Sequence, residues 1–200
     1  MATSRKTEPP APAERILAAA NTLFYTRGIR AVGVDTVAAE AGVSKRTLYH
    51  HYPSKDALIA AYLTARFKHL APSDAPAREQ ILGNFDRLER LIADGRFRGC
   101  PYVNAVTELG DPRHPASKIA VQFKEQRRLW YRPLLERLAA RNPDALATQL
   151  QILFEGALAS ALVRGDPAIA RSARDAAEVL LGAAGVRRSP RPRRRSARRS

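Results

Sequence analysis

The 200-residue chain has a single cysteine, Cys100, so it cannot form an internal disulfide bond. Such sparse cysteine is typical of proteins kept in a reducing cytoplasm, and we expect that localisation. We expect no signal peptide before Pro9, and no apolar run approaches the roughly 20 residues that a membrane-spanning helix needs. These absences argue against a membrane partner.

Sequence signatures of catalysis are also missing. The chain has no phosphate-binding loop, no GxSxG or HExxH motif and no paired-cysteine spacing. His50 and His51 would point about 100° apart on a helix, and the other two histidines are remote in sequence, which argues against a metal site. We therefore predict no enzyme activity, no cofactor and no metal. A small helical enzyme that uses Glu108, Asp111 or His114 is the alternative.

Acidic residues are few relative to basic ones, and the net charge is +15. Eight arginines lie within residues 187–200 and the first eight residues add one net positive charge, so +6 remains for residues 9–186. We predict a flexible basic arm over residues 1–11 and a disordered Arg-rich tail over residues 187–200. The tail either attracts DNA non-specifically, in a salt-dependent way, or only solubilises the chain.

Residues 32–55, VGVDTVAAEAGVSKRTLYHHYPSK, predict two short helices around a tight turn. Gly42 supplies the positive φ that ends the first helix, and Ser44 can cap the second. Leu48 and Tyr52 share one face of the second helix, which turns its polar side chains toward solvent. An ordinary corner in a helical bundle is the structural alternative to a helix-turn-helix. We predict DNA contacts from Thr36, Ser44, Lys45, Arg46, Thr47, Tyr49, His50, His51 and Lys55.

Residues 16–63, ILAAANTLFYTRGIRAVGVDTVAAEAGVSKRTLYHHYPSKDALIAAYL, resemble the DNA-binding module of the tetracycline-repressor (TetR) family of bacterial regulators. The TRG that ends the first helix, the AGVSKRTLYHHYPSK run and the following DAL occur in the family's order. Gly33 replaces the usual Ser or Thr cap and Tyr52 replaces the commoner Phe, and neither change excludes the module. The resemblance implies a homodimer that binds double-stranded operator DNA and is released by a small-molecule effector.

The fold class expected is all-α, with about nine helices. Residues 12–70 should form a three-helix, helix-turn-helix DNA-binding domain with a connecting fourth helix, which runs over about 55–70. Residues 71–186 should form a helical ligand-binding and dimerisation domain. Within a seventh helix over 115–141, Pro133 predicts a kink or a break, because proline lacks the N–H that the helix needs.

An apolar cavity is expected between the fifth, sixth and seventh helices, where Gly- and Pro-rich backbone packs poorly. It suits a hydrophobic or aromatic effector with one polar or acidic group. Arg96 and Arg98 near Cys100 also allow a redox or electrophile sensor, although a lone cysteine beside proline is more often a buried packing residue. A closed core in a DNA-binding protein without an effector is the other alternative. The predicted lining residues are Phe85, Leu88, Ile92, Cys100, Tyr102, Val103, Asn104, Phe123, Arg127 and Trp130.

The eighth helix is apolar around most of its circumference, so it needs cover on two sides. Core neighbours cover one side, and small residues allow another helix to approach on the other. We therefore predict a homodimer in which the eighth and ninth helices form a four-helix bundle across a two-fold axis. The predicted interface residues are Leu153, Gly156, Ala157, Ser160, Ala161, Ala173, Ala176, Ala177 and Leu180.

Overall fold

The computed structural model describes residues 10–66 and 74–186, and every regular element within these ranges is a helix. The all-α prediction is confirmed. The arm before Pro10, the predicted end of the fourth helix near Leu70 and the tail over 187–200 lie outside the described residues. The described helices are α1 (Pro12–Arg27), α2 (Val34–Glu40), α3 (Lys45–His51), α4 (Lys55–Ala65), α5 (Ala77–Ala93), α6 (Pro101–Leu109), α7 (Pro115–Arg137), α8 (Pro143–Arg164) and α9 (Ala168–Ala183).

The turn between α2 and α3 forms as its residues predict. Gly42 adopts a φ of 63°, in the left-handed region that glycine enters without steric cost. The Ser44 hydroxyl oxygen accepts a hydrogen bond from the Thr47 amide at 3.0 Å, which satisfies one of the free N–H groups at the start of α3. The helix-turn-helix is therefore present.

The seventh helix differs from its prediction at two points. It continues through Pro133 to Arg137, so the predicted break is wrong, and the alternative of a kink stays a prediction. Leu134, the next residue, is buried in the core, and this packing holds the helix where proline removes one hydrogen bond. The helix ends before the predicted Arg141 because Ala139 adopts a φ of 50°, which no right-handed helix accommodates.

The described residues build two hydrophobic cores. One joins α5, the second half of α7, α8 and α9. The other joins α1 to α4, together with Tyr102 and Ala105 of α6 and Ala116 and Ala120 of α7. The second core therefore crosses the domain boundary predicted between residues 70 and 71. The helix that begins next to Cys100 rests directly on the helices that support the helix-turn-helix.

Helix α8 is long and apolar enough, by length and composition, to cross a membrane. The prediction that no segment reaches this length is therefore wrong. Core helices of soluble proteins pass the same test, and α8 places Leu146, Leu150 and Phe154 in the first core. Ile152, Leu162 and Val163 of α8 are instead exposed.

Candidate nucleic-acid interface and effector cleft

The outward side of α3, with the residues next to it on α2 and α4, forms a polar surface that we call the reading face. Leu48, on the opposite side of α3, is completely buried in the core of α1 to α4. That burial fixes which side of the short helix faces solvent. The exposed residues of the reading face are Thr36, Ser44, Lys45, Arg46, Tyr49, His50 and His51, and Thr47 and Lys55 are half-buried.

Two local contacts order this face. The Lys45 ammonium lies 2.9 Å from the Asp35 carboxylate, and this hydrogen-bonded pairing raises the pKa of Lys45. The Ser44 and Thr47 hydroxyls lie 2.8 Å apart. Cationic, hydroxyl, phenol and imidazole groups are thus presented together, and these groups bond DNA phosphates and base edges.

Helix α1 braces the reading face. The Tyr52 hydroxyl at the end of α3 donates to the Ala13 carbonyl at 3.3 Å. At the far end of α4, the Arg66 Nε donates to the Asn21 side-chain oxygen at 2.5 Å, and the Arg66 guanidinium lies 4.3 Å above the Tyr25 ring. A displacement of α1 would therefore be transmitted to both α3 and α4.

A cleft of about 1010 Å³ lies between α1 and the helices α5, α7 and α8. Its apolar walls include Leu17 of α1, Leu88 of α5, Phe123 of α7, and Phe154 and Leu158 of α8. The sequence did not predict that α1 forms part of this wall, because the cavity was expected between the fifth, sixth and seventh helices only. A molecule in the cleft would contact the helix that supports α3.

Half of the predicted lining residues border the cleft. Arg127 and Phe123 do so from α7, Leu88 from α5, and Tyr102 and Cys100 from the start of α6. Cys100 is half-buried there, and its role as a redox or electrophile sensor stays a prediction.

The other predicted lining residues do not border the cleft. Phe85 and Ile92 are buried in the core between α5, α7, α8 and α9, because their positions on α5 turn them away from α1. Val103 is 47% exposed and borders a separate groove of about 950 Å³ formed by α6, α7 and α8. Outside the cleft lining are thus Phe85, Ile92, Val103, Asn104 and Trp130.

Asn84 is a further cleft residue, and it was not among the lining residues predicted from the sequence. It is buried, and its side-chain amide donates to the Tyr131 hydroxyl at 2.8 Å. Its spacing could have indicated that it is buried, since Asn84 lies three residues after Ile81 and four before Leu88, on the apolar stripe of α5. A polar residue at such a position needs a buried partner.

Tyr25 joins α1 to the segment that enters α6. Its hydroxyl donates to the Gly99 carbonyl at 3.2 Å and accepts from the Arg98 amide at 3.0 Å. Tyr102 adds a second link, because its hydroxyl donates to the Leu63 carbonyl of α4 at 3.2 Å. Burial raises the pKa of Tyr102 well above its ordinary value, so this hydroxyl remains a donor at neutral pH.

The polar residues proposed for an enzyme alternative each make a structural contact. Glu108 accepts from the Arg30 amide at 3.0 Å, and Asp111 accepts from the Arg113 amide at 2.9 Å. His114 accepts from the Ala116 amide through Nδ1, which caps α7. Within residues 10–66 and 74–186, no group of three or more His, Cys, Asp or Glu side chains is placed to hold a metal ion.

Part of the predicted dimer interface is wrong. Ala157, Ala161, Ala173 and Ala177 are buried in the core of the chain itself, so they leave almost no surface for a partner to contact. Their small side chains instead let α8 and α9 pack closely on each other. Leu153 and Leu180 pack partly against the same core.

An exposed apolar stripe lies beside those buried alanines. Ile152, Val163 and Val179 are 65%, 86% and 71% exposed, although each is a strongly apolar side chain. Gly156 and Ser160 lie between the first two along α8 and are also exposed. We call this surface, which also includes Ala159 and the half-buried Ala176, the α8–α9 face.

A helix-turn-helix with an outward polar face, supported by a helix that also borders a large cleft, defines a DNA-binding regulator. The family model for bacterial regulatory proteins of the tetR family matches residues 16–62. The structure of sav143 from Streptomyces avermitilis is 38% identical, with 89% of this chain and all of that chain covered and a TM-score of 0.81. The chain therefore belongs to the TetR family and is a DNA-binding transcriptional regulator.

Two further relatives agree with this assignment. The HTH-type transcriptional regulator YjdC from Escherichia coli is 26% identical over 176 residues, which cover 84% of this chain and 92% of that protein. The HTH-type transcriptional repressor KstR2 from Mycolicibacterium smegmatis is 26% identical over 147 residues, which cover 70% and 71% of the two chains. Both similarities extend beyond the helix-turn-helix.

Proposed function

We propose that the protein is a cytoplasmic, homodimeric repressor without enzymatic activity, released from a palindromic operator when a small molecule fills the cleft. The observation that carries this proposal is the shared wall of the cleft. Helix α1 borders the cleft on one side and braces α3 and α4 on the other. A ligand there can favour one placement of the reading face over another, provided that it binds that state more tightly.

The dimer is proposed from the α8–α9 face. Val163 and Val179 are exposed aliphatic side chains, and covering them with a partner lowers the free energy because it removes apolar surface from water. A symmetric partner would present the same face, as a two-fold interface requires. Two reading faces would then be held at a fixed separation, and an effector that changes this separation would prevent both from entering successive major grooves, about 34–36 Å apart.

Filling the cleft tests the effector site. A library of small metabolites is screened for release of the wild-type protein from its selected operator, measured by fluorescence anisotropy. Leu158→Trp places an indole in the cleft and should abolish release by the active compounds, while operator affinity stays within about 3-fold. Val103→Trp adds the same side chain outside the cleft and is the matched control. Normal release of the folded Leu158→Trp protein would contradict the proposal.

Tyr25 should transmit the effect of ligand binding. Tyr25→Phe keeps the ring under Arg66 but removes the two hydrogen bonds to residues 98 and 99. We expect the variant to bind the active compounds and the operator separately with near-normal affinity. The coupling free energy, by which a bound compound lowers operator affinity, should fall by at least about half, since contacts between the two sites carry it. Coupling equal to that of the wild type would show that these hydrogen bonds play no part.

A further inference from the structure

We propose that the cleft takes an amphipathic organic anion, with its carboxylate on Arg127 and its hydrocarbon or aromatic body along Phe123, Phe154 and Leu158. This inference rests on the proposed function, because it treats the cleft as the effector site. It adds the chemical class of the effector. Three features of the cleft support it: an uncompensated guanidinium, an excess of positive charge and long apolar walls.

The first feature is the state of Arg127. Its guanidinium carbon lies 4.2 Å from the centre of the Phe154 ring, and one amino group, Nη2, is shielded from solvent without a hydrogen-bond partner. No carboxylate in the described part of the chain forms an ion pair with Arg127. Two polar groups lie beside Arg127, and both are neutral. They are the Tyr131 hydroxyl and the Asn84 amide, which donates a hydrogen bond to that hydroxyl. A shielded charge of this kind is costly until an anion pairs with it.

The second feature is the charge around the cleft. Among the described residues, six basic side chains and three carboxylates border it. Two of the carboxylates are already paired, because Asp94 lies 2.8 Å from Arg96 and Glu155 lies 2.8 Å from Lys124. The third, Glu14, accepts a hydrogen bond from the amide of Ala11. The other basic residues, Arg66, Arg87, Arg98 and Arg127, therefore leave a positive potential that attracts anions.

The third feature is the size and lining of the space. A volume of about 1010 Å³ lies at the upper end of the range of roughly 300–1,000 Å³ for ligand pockets. Aromatic rings at Phe123 and Phe154 and aliphatic side chains at Leu17, Leu88 and Leu158 border it. Binding of a large apolar body against such walls is favourable, because it removes apolar surface from water. A small inorganic anion would make few contacts with them.

Two pairs of probes isolate the charge. Dodecanoate is compared with dodecan-1-ol, and naphthalene-2-carboxylate with naphthalene-2-carboxamide, by calorimetric titration of the full-length protein at pH 7.5. The wild-type protein should bind each carboxylate about 10- to 100-fold more tightly than its neutral counterpart, as expected for a charge-assisted, bidentate contact in a shielded site. Arg127→Met should remove this preference, while Arg127→Lys should keep part of it.

Two further variants control for charge and folding. Arg137→Met removes one exposed positive charge from the same helix, away from the cleft, and should retain the preference. Arg127→Glu should reverse the preference, so that dodecylamine binds more tightly than dodecanoate. Thermal unfolding of each variant establishes that it is folded, and a reversed preference cannot result from a merely destabilised protein.

Equal binding of the acid and neutral probes by the wild type, binding of neither, or a preference that survives in folded Arg127→Met would overturn the inference. None of these results decides whether the cleft is the effector site, because the metabolite screen tests that separately. If library compounds still release the wild type and Leu158→Trp blocks them, the effector site stands and only its anion preference is wrong. If Leu158→Trp responds normally as well, the proposed function fails.

Discussion

Gly156→Arg should convert the protein to a monomer and weaken operator binding at least about 100-fold, because two linked half-site contacts become one. A Cβ atom added at Gly156 meets no atom within 4 Å, and Gly156 is exposed, so the protomer leaves room for a side chain to point into solvent. Replacing glycine within a helix also raises the helix propensity of α8. The expected loss therefore belongs to the interface. Analytical ultracentrifugation at micromolar concentration measures the oligomeric state.

The matched control at this position is Gly156→Ala. It should remain dimeric and bind the operator normally, with a free energy of unfolding higher by up to about 1 kcal/mol, since alanine favours the helix. Ala157→Arg is not a valid test of the interface, because Ala157 is buried in the protomer and an arginine there would disrupt its core. A Gly156→Arg protein that sediments as a dimer would contradict the proposed interface.

Substitutions on the reading face should divide into two groups. Tyr49→Ala and Lys55→Ala should weaken binding to all sequences. Lys55→Ala should also reduce the slope of log affinity against log salt by about one, because we expect Lys55 to contact a phosphate. Thr47→Ala or His50→Ala should instead change which base pairs are preferred, at a cost of about 1–3 kcal/mol. Anisotropy titrations over a range of salt concentrations, on the selected operator and on single-base variants, separate the two effects.

The control for this set is Lys118→Ala. Lys118 is an exposed cation on α7, outside the reading face, and its loss should leave both affinity and base preference unchanged. Unchanged operator binding in all four reading-face variants would show that another surface binds DNA.

Local chemistry made the helix-turn-helix predictable. Gly42 and Ser44 determine where one helix ends and the next begins, and the structure shows the expected positive φ and cap. Leu48 determines the buried side of α3, so the polar side followed directly. The start of α8 was predictable for the same reason, since the Asn142 side chain accepts from the Ala145 amide and Pro143 follows as a first-turn residue.

Tertiary packing made the cleft and the dimer face less predictable. The positions of Phe85, Leu88 and Ile92 showed that α5 buries one side, but not that Leu88 borders the cleft while the other two do not. On α8, the nearly uniform apolar character gave no indication of which side faces the protomer's own core. From the sequence alone, Ala157 and Ile152 could each lie either in the protomer core or on its surface. The packing of α7 and α9 on α8 decides that Ala157 is buried and Ile152 is exposed.

Selection of DNA by the full-length wild-type protein, from a random library at physiological salt, tests the central claim most directly. We expect enrichment of an inverted repeat whose half-site centres are one helical turn, or a small multiple of it, apart, because a two-fold dimer presents two copies of α3. The same selection with Thr47→Ala should return a repeat altered at matching positions in both halves. No enriched sequence, or one without two-fold symmetry, would contradict the account.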